Sequence, residues 1–200
     1  MKLFFNTVYN LSENCFWNIS KLCCTAIVKT SCYIRDISVG SNTVFIGLTK
    51  IKRGNKSSIT IGESCIFRSA QLSNLIGINR PCIFTAMGAT GSTLVVGNNC
   101  GFSGTVIGCF ATITLGNNVR CGANTLITDS DWHHNDERLG GSAPVTIEDN
   151  VFMGMNVTVL KGVIIGENSV IGAGSVVVSD IPPNVLAAGN PCRVIKPLHT

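Results

Sequence analysis

Residues 147–182 read IEDNVF MGMNVT VLKGVI IGENSV IGAGSV VVSDIP. Each block of six opens on an aliphatic residue or Met: Ile147, Met153, Val159, Ile165, Ile171 and Val177. The second position is mostly small or acidic (Glu148, Gly154, Gly166, Gly172), and the fifth is small or β-branched (Val151, Val157, Val163, Ser169, Ser175). A short fixed period is the signature of a solenoid, and a period of six is that of a parallel β-helix. Three blocks then make one triangular turn. The first-position side chains point inward and stack on their counterparts one turn away: Ile147 on Ile165, Met153 on Ile171, Val159 on Val177. Asn150, Asn156 and Asn168 suit the corners, because Asn and Gly tolerate positive φ best.

The same phase extends upstream. TLGNNVRCGANTLI places Leu115, Cys121 and Ile127 at first positions, and DISVGSNTVFIG, SITIGESCIFRS and TLVVGNNCGFSG are coil fragments. KIKRGNKSS and LIGINRPCIFTAMGATGS break the phase and read as loops or irregular corners, with Lys50, Lys52, Arg53 and Lys56 as a solvated face. Residues 128–144, TDSDWHHNDERLGGSAP, hold no repeat at all. A long polar excursion from a regular coil points to function, since the coil gains nothing from it.

Composition narrows the class. Charged residues make up 13% and apolar ones 45% of 200 residues, which fits one domain with much buried surface. The formal charge of +4 is mild, and no basic cluster with interleaved aromatics argues for nucleic acid. Ten cysteines without a CxxC pair or a secretory segment read as small apolar fillers in a reducing cytoplasm. Cys65 and Cys100 fall at fifth positions and Cys121 at a first. Residues 1–30 carry no hexad phase. Ser12 can start a helix to about Val28, with Phe16, Ile19, Leu22, Cys23, Ala26 and Ile27 as its apolar stripe. Such a helix is too interrupted to span a bilayer. It reads as a cap on the open coil end, with peripheral membrane contact as the sharper alternative. The division is thus a helical segment at 1–30, a β-helix domain at 31–182 with its excursion at 128–144, and a tail at 183–200.

From about residue 94 to 197, and above all over IGAGSVV and DIPPNVLAAGNPCRVI, the chain resembles the hexapeptide-repeat O-acetyltransferases of the galactoside and maltose type. Within them it is most like the sugar acetyltransferases of bacterial capsule and lipopolysaccharide clusters. The resemblance implies an all-β, left-handed parallel β-helix, a homotrimer with sites between subunits, and acetyl-CoA as donor without a metal. It implies a cytoplasmic bacterial enzyme acetylating a sugar hydroxyl of a surface polysaccharide. The same resemblance puts the catalytic base in the excursion, at His133 with His134 as runner-up, oriented by a carboxylate such as Asp131, Asp129, Asp136 or Glu137. Trp132 either walls a sugar or anchors the loop. Carried over position by position, the donor would meet Phe152, Met155, Gly172 and Ala173, with Arg193 and Lys196 near its phosphates and Ser179 where a Lys is common. Phe102 and Ser103 stand nearest the acceptor positions and differ from the galactoside pattern, so that specificity is not carried over. An amino sugar amine or small metabolite as acceptor, and a non-catalytic scaffold, are the competing readings. A zinc solenoid of the carbonic anhydrase kind would need three ligating histidines on adjacent coils, and only His133 and His134 lie within the body, His199 being next to the end.

Overall fold

The computed structural model describes residues 2–133, 136, 138 and 140–198, with the side chains of 2–13 excluded. Three sheets of six, eight and six strands, parallel except for the last strand of the second, form the sides of a prism. The first face stacks Ser38–Val39, Ser58–Ile61, Thr93–Val96, Thr112–Leu115, Val145–Ile147 and Ile164–Ile165. The second runs from Val44–Ile46 through Ile66–Arg68, Gly101–Ser103, Arg120–Cys121, Phe152–Met153 and Val170–Ile171 to Val185–Gly189 and Cys192–Pro197. The third stacks Lys50–Arg53, Ile83–Ala86, Val106–Cys109, Leu126–Thr128, Thr158–Val159 and Val176–Val177.

The stacking expected from the hexads is the register found: Ile147 on Ile165, Met153 on Ile171, Val159 on Val177. Inside the second face one column runs Phe45, Phe67, Phe102, Cys121, Met153, Ile171 and Ala187. Phe45 stacks on Phe67 at 4.7 Å and Phe67 on Phe102 at 4.9 Å, with Phe84 edge-on from the third face. Each buried ring contributes roughly 1.5–3 kcal/mol of transfer free energy. Side chains of one type stack because strands lie about 4.8 Å apart, close to an aromatic stacking distance.

The corners follow the same economy. Asn99, Asn118, Asn150, Asn168 and Asn184 all have φ between 54° and 60° and form a ladder, each side-chain amide donating to the next Asn Oδ1 at 2.8–3.0 Å. Asn156 takes φ 56° at another corner. Cys65, Cys100 and Cys121 are buried fillers, and all ten cysteines are free thiols.

Three expectations need correction. The phase-breaking stretches hold strands, Lys50–Arg53 and Ile83–Ala86, and Arg53 is tied to Asp36 at 2.8 Å. The C-terminal residues are no loose tail, since Val185–Gly189 adds a parallel strand and Cys192–Pro197 folds back antiparallel on it. The helix spans Lys2–Ile34, and the stripe Phe16, Ile19, Leu22, Cys23, Ala26 and Ile27 faces outward. The face against the first coil is instead Thr25, Val28 and Cys32, with Thr25 Oγ1 accepting the Phe45 N–H at 2.9 Å. An open coil end offers unpaired backbone groups, so it takes a small face with a hydroxyl rather than a bulky apolar one. No described helix is long and apolar enough to cross a membrane.

Candidate active site

The excursion leaves the prism after Leu126–Thr128 and returns at Val145–Ile147, so it stands on the corner between the third and first faces. Asp129 anchors it to the coil below. Its side chain is buried, and its two oxygens accept the N–H groups of Phe110 and Ala111, each at 2.7 Å. Asp131 anchors it to the coil above through an ion pair with Lys161, whose ammonium also donates to the Gly140 carbonyl. Among the described residues the Asp131 carboxylate pairs with Lys161 and with no imidazole, a contact that holds the loop.

Trp132 adopts φ 68°, donates from Nε1 to Thr128 Oγ1 at 3.0 Å and meets Phe110 edge-on at 4.9 Å. Its ring lies over Gly108, where a Cβ would come within 2.2 Å of it. Of the two roles read for Trp132, the anchor is the one these contacts describe, although about half of the residue stays exposed. His133 follows directly and is exposed, its carbonyl accepting the Asp136 N–H at 3.2 Å. Asp136 is paired with Arg138, whose guanidinium holds the exposed carboxyl below its ordinary value. His134, Glu137 and His199 lie outside the described residues.

The expected donor positions gather elsewhere. Phe152 is half exposed on the second face, and Gly154, Met155, Gly172 and Ala173 follow it at the corner between the second and third faces. That corner is stripped to small residues apart from Met155, and its glycines pack closely coil on coil. A Cβ on Gly122 would lie 2.6 Å from the Gly154 backbone, one on Gly154 2.6 Å from the Ala173 nitrogen, and one on Gly172 2.8 Å from Ala188 Cβ. Arg193 and Lys196 are exposed on the last strand, where Arg193 pairs with Ala188. Ser179 stands apart, beyond Val176–Val177 on the corner that carries the excursion.

A groove of about 570 Å³ runs along the second face from Ile66 and Arg68 through Ser103 and Arg120 to Phe152, Gly154 and Met155. Ser103 belongs to it and accepts the Asn74 side-chain amide at 3.0 Å. Phe102 also lines this groove, with its ring turned into the core, because it occupies the inward position one strand below Cys121. Lys161 and Gly108 were not singled out in the sequence, and of residues 69–82 only the part from Leu75 reads there as a loop. A basic residue thirty positions from Asp131 and a glycine inside a strand carry no local signal of their roles.

Several known proteins are similar to this chain. The model for the hexapeptide repeat of succinyl-transferase matches residues 144–179. Galactoside O-acetyltransferase of Escherichia coli (strain K12) is 44% identical over 115 residues, 54% of this chain and 56% of that protein. A solved galactoside acetyltransferase in complex with coenzyme A is 32% identical over 80% of this chain and 66% of its own, at TM-score 0.50. The chain is similar to the hexapeptide-repeat acetyltransferase family. The coil of this hexapeptide-repeat protein is the left-handed parallel β-helix of the family. The polySia specific acetyltransferase NeuO superposes with TM-score 0.59 at 25% identity, over 80% of this chain and 78% of that one. The hexapeptide-repeat chain spans little more than half the length, or less, of the curated relatives it matches.

Proposed function

We propose that this chain is an acetyl-CoA-dependent O-acetyltransferase for a saccharide hydroxyl, acting in the cytoplasm of a bacterium in surface polysaccharide synthesis. The observation that carries the reading is the presence, on the same coils, of an imidazole on an anchored excursion and of a corner of small residues. The galactoside acetyltransferase complexed with coenzyme A and the polySia specific acetyltransferase support acetyl-CoA as donor and a sugar as acceptor.

In this reading Gly154, Gly172 and Ala173 let the pantetheine arm lie against the backbone, with Phe152 and Met155 beside it and Arg193 and Lys196 toward the phosphates. His133 takes the proton of the acceptor hydroxyl as its oxygen attacks the thioester carbonyl. The tetrahedral intermediate then collapses to the ester, and the coenzyme A thiolate leaves and recovers the proton from the imidazolium. The excursion and the stripped corner lie on opposite edges of the third face. One six-residue side separates them by roughly 20 Å at 3.3 Å per residue, beyond the reach of a side chain. In this reading the active unit is a homotrimer, as the family resemblance implies, in which the excursion of one copy meets the corner of the next. The helix Lys2–Ile34 caps the open coil end, and its outer apolar arc is the surface for peripheral membrane contact.

Turnover of acetyl-CoA with a panel of saccharide acceptors tests the proposal. His133→Ala is expected to lower turnover by about a hundredfold, the usual scale for loss of a general base, with the oligomer intact by sedimentation. Unchanged turnover would remove His133 from the role. Amine-bearing and hydroxyl-bearing acceptors in the same panel separate N- from O-transfer.

A further inference from the structure

The groove on the second face has a second wall that the catalytic reading leaves unused. Between Ile66–Arg68 and Ile83–Ala86 the chain makes another excursion, residues 69–82, on the corner between the second and third faces. It is tied down at both flanks. Arg68 donates from Nη1 to the Ser73 carbonyl at 2.7 Å, and Asn74 donates to Ser103 Oγ. Farther on, Arg80 donates from Nη2 to the Asn124 carbonyl at 2.7 Å. Asn74 and Ile76 thus form part of the groove wall.

Two guanidiniums lie in this end of the groove, Arg68 and Arg120, and no Asp or Glu is among the residues that line it. Arg120 is placed there by a gap. A Cβ on Gly101 would meet Arg120 Cδ at 3.0 Å, so the arginine lies flat across the glycine and donates from Nη1 to the Asn99 carbonyl. The backbone carbonyls hold only Nη1 of each arginine. The Nε and Nη2 groups make no hydrogen bond among the described residues, although a guanidinium offers five N–H donors in a rigid fork. Ile66, Ile76 and Phe152 supply apolar surface beside them.

The order of strands separates this charge from the one proposed for the donor. Arg68 and Arg120 lie on the N-terminal side of Phe152, and Arg193 and Lys196 lie on the far strand of the sheet beyond it. The groove thus carries its two guanidiniums at one end and Gly154 and Met155 of the small-residue corner at the other, and Arg193 and Lys196 lie outside it. We infer that the Arg68–Arg120 end is the acceptor site and selects a saccharide bearing an anionic group, a carboxylate or a phosphate. The inference rests on the acyltransferase reading and names its substrate class. Asn74, Ser103 and the free guanidinium nitrogens bind the anion and neighbouring hydroxyls, Ile66, Ile76 and Phe152 pack on the sugar face, and the reacting hydroxyl is directed toward Met155.

Calorimetric titration of the full chain tests this with four probes: a hexuronic acid oligosaccharide, its carboxyl-reduced neutral counterpart, a hexose phosphate and coenzyme A. The expected result is at least roughly tenfold tighter binding of an anionic probe than of the neutral one, the scale of one charge-assisted hydrogen bond. The stronger of the two anionic probes identifies the anion. Arg120→Gln, and Gly101→Val, which displaces the same side chain, should each abolish that preference and leave coenzyme A binding unchanged. Equal binding of neutral and anionic probes overturns the inference, as does an equal loss of coenzyme A affinity in Arg120→Gln, which would assign the arginine to the donor. Failure of the acyltransferase reading is distinct, because it appears as no coenzyme A binding and no acetyl transfer to any probe, while anion binding in the groove stays measurable.

Discussion

Asp129 shows how a titratable residue in a polar excursion can be wholly occupied with structure. It lies four residues before His133, yet both oxygens are taken by the adjacent N–H groups of Phe110 and Ala111. Those amides belong to the corner that Gly108 and Phe110 offer to Trp132, so one carboxylate fixes both the start of the excursion and the seat of its anchor. Asp129→Asn leaves one amide donor facing another, and a buried donor without a partner costs about 1–3 kcal/mol. The expected outcome is an unfolding midpoint lower by several degrees, together with reduced acetyl transfer, because the loop that carries His133 loses its lower anchor. A variant with unaltered midpoint and turnover would show that the two amides find other partners. The acid–base candidates in 128–144 were legible from residue type alone, but their partners were not. Asp131 reaches Lys161 only because the next coil stacks directly above.

The helix and the two excursions belong to the next scale. The stripe from Phe16 to Ile27 is genuine helical periodicity, and it marks the side turned away from the coil. Periodicity says that a helix has an apolar face and says nothing of what covers it. The covered side, Thr25, Val28 and Cys32, carries weaker apolar character and one hydroxyl that answers the Phe45 amide. Two variants separate the sides. Val28→Asp should lower the unfolding midpoint clearly, since it buries an unpaired charge against the first coil. Leu22→Ser should change stability by no more than about 0.5 kcal/mol, as a surface change, while weakening sedimentation with anionic lipid vesicles. Loss of stability in Leu22→Ser, with vesicle binding intact, would mean that the outer arc packs against protein. The two excursions differ in visibility. Residues 128–144 interrupt a clean phase and stand out, whereas 69–82 fall where the hexads are already irregular.

For the whole molecule, the narrow prism stores many thiols away from water. Burial raises the pKa of Cys32, Cys82, Cys121 and Cys192, and Cys109 is pushed up to about 12 by burial and then by the charge of Asp129. A thiol whose folded value lies above its unfolded one stabilises the fold fully below the unfolded value, near 9.0, and loses that contribution as pH rises toward the folded value. The midpoint of thermal unfolding should therefore fall steadily between pH 9 and pH 12, and Cys109→Ala should flatten part of the decline. A midpoint independent of pH over that range would mean that the buried thiols titrate normally.

The hexads by themselves determined the coil, the vertical register of its last turns, the asparagine corners and the place of the interrupting loop. They could do so because a six-residue period with inward first positions leaves one way to stack. Tertiary structure alone decided which face of the helix is covered, that Phe102 points into the core, and that the excursion and the stripped corner occupy different edges. It also brought Arg68 beside Arg120 in one groove. These are outcomes of parallel stacking across coils, which joins residues far apart in the chain, and of excursions that reset the phase, so that no local pattern records them.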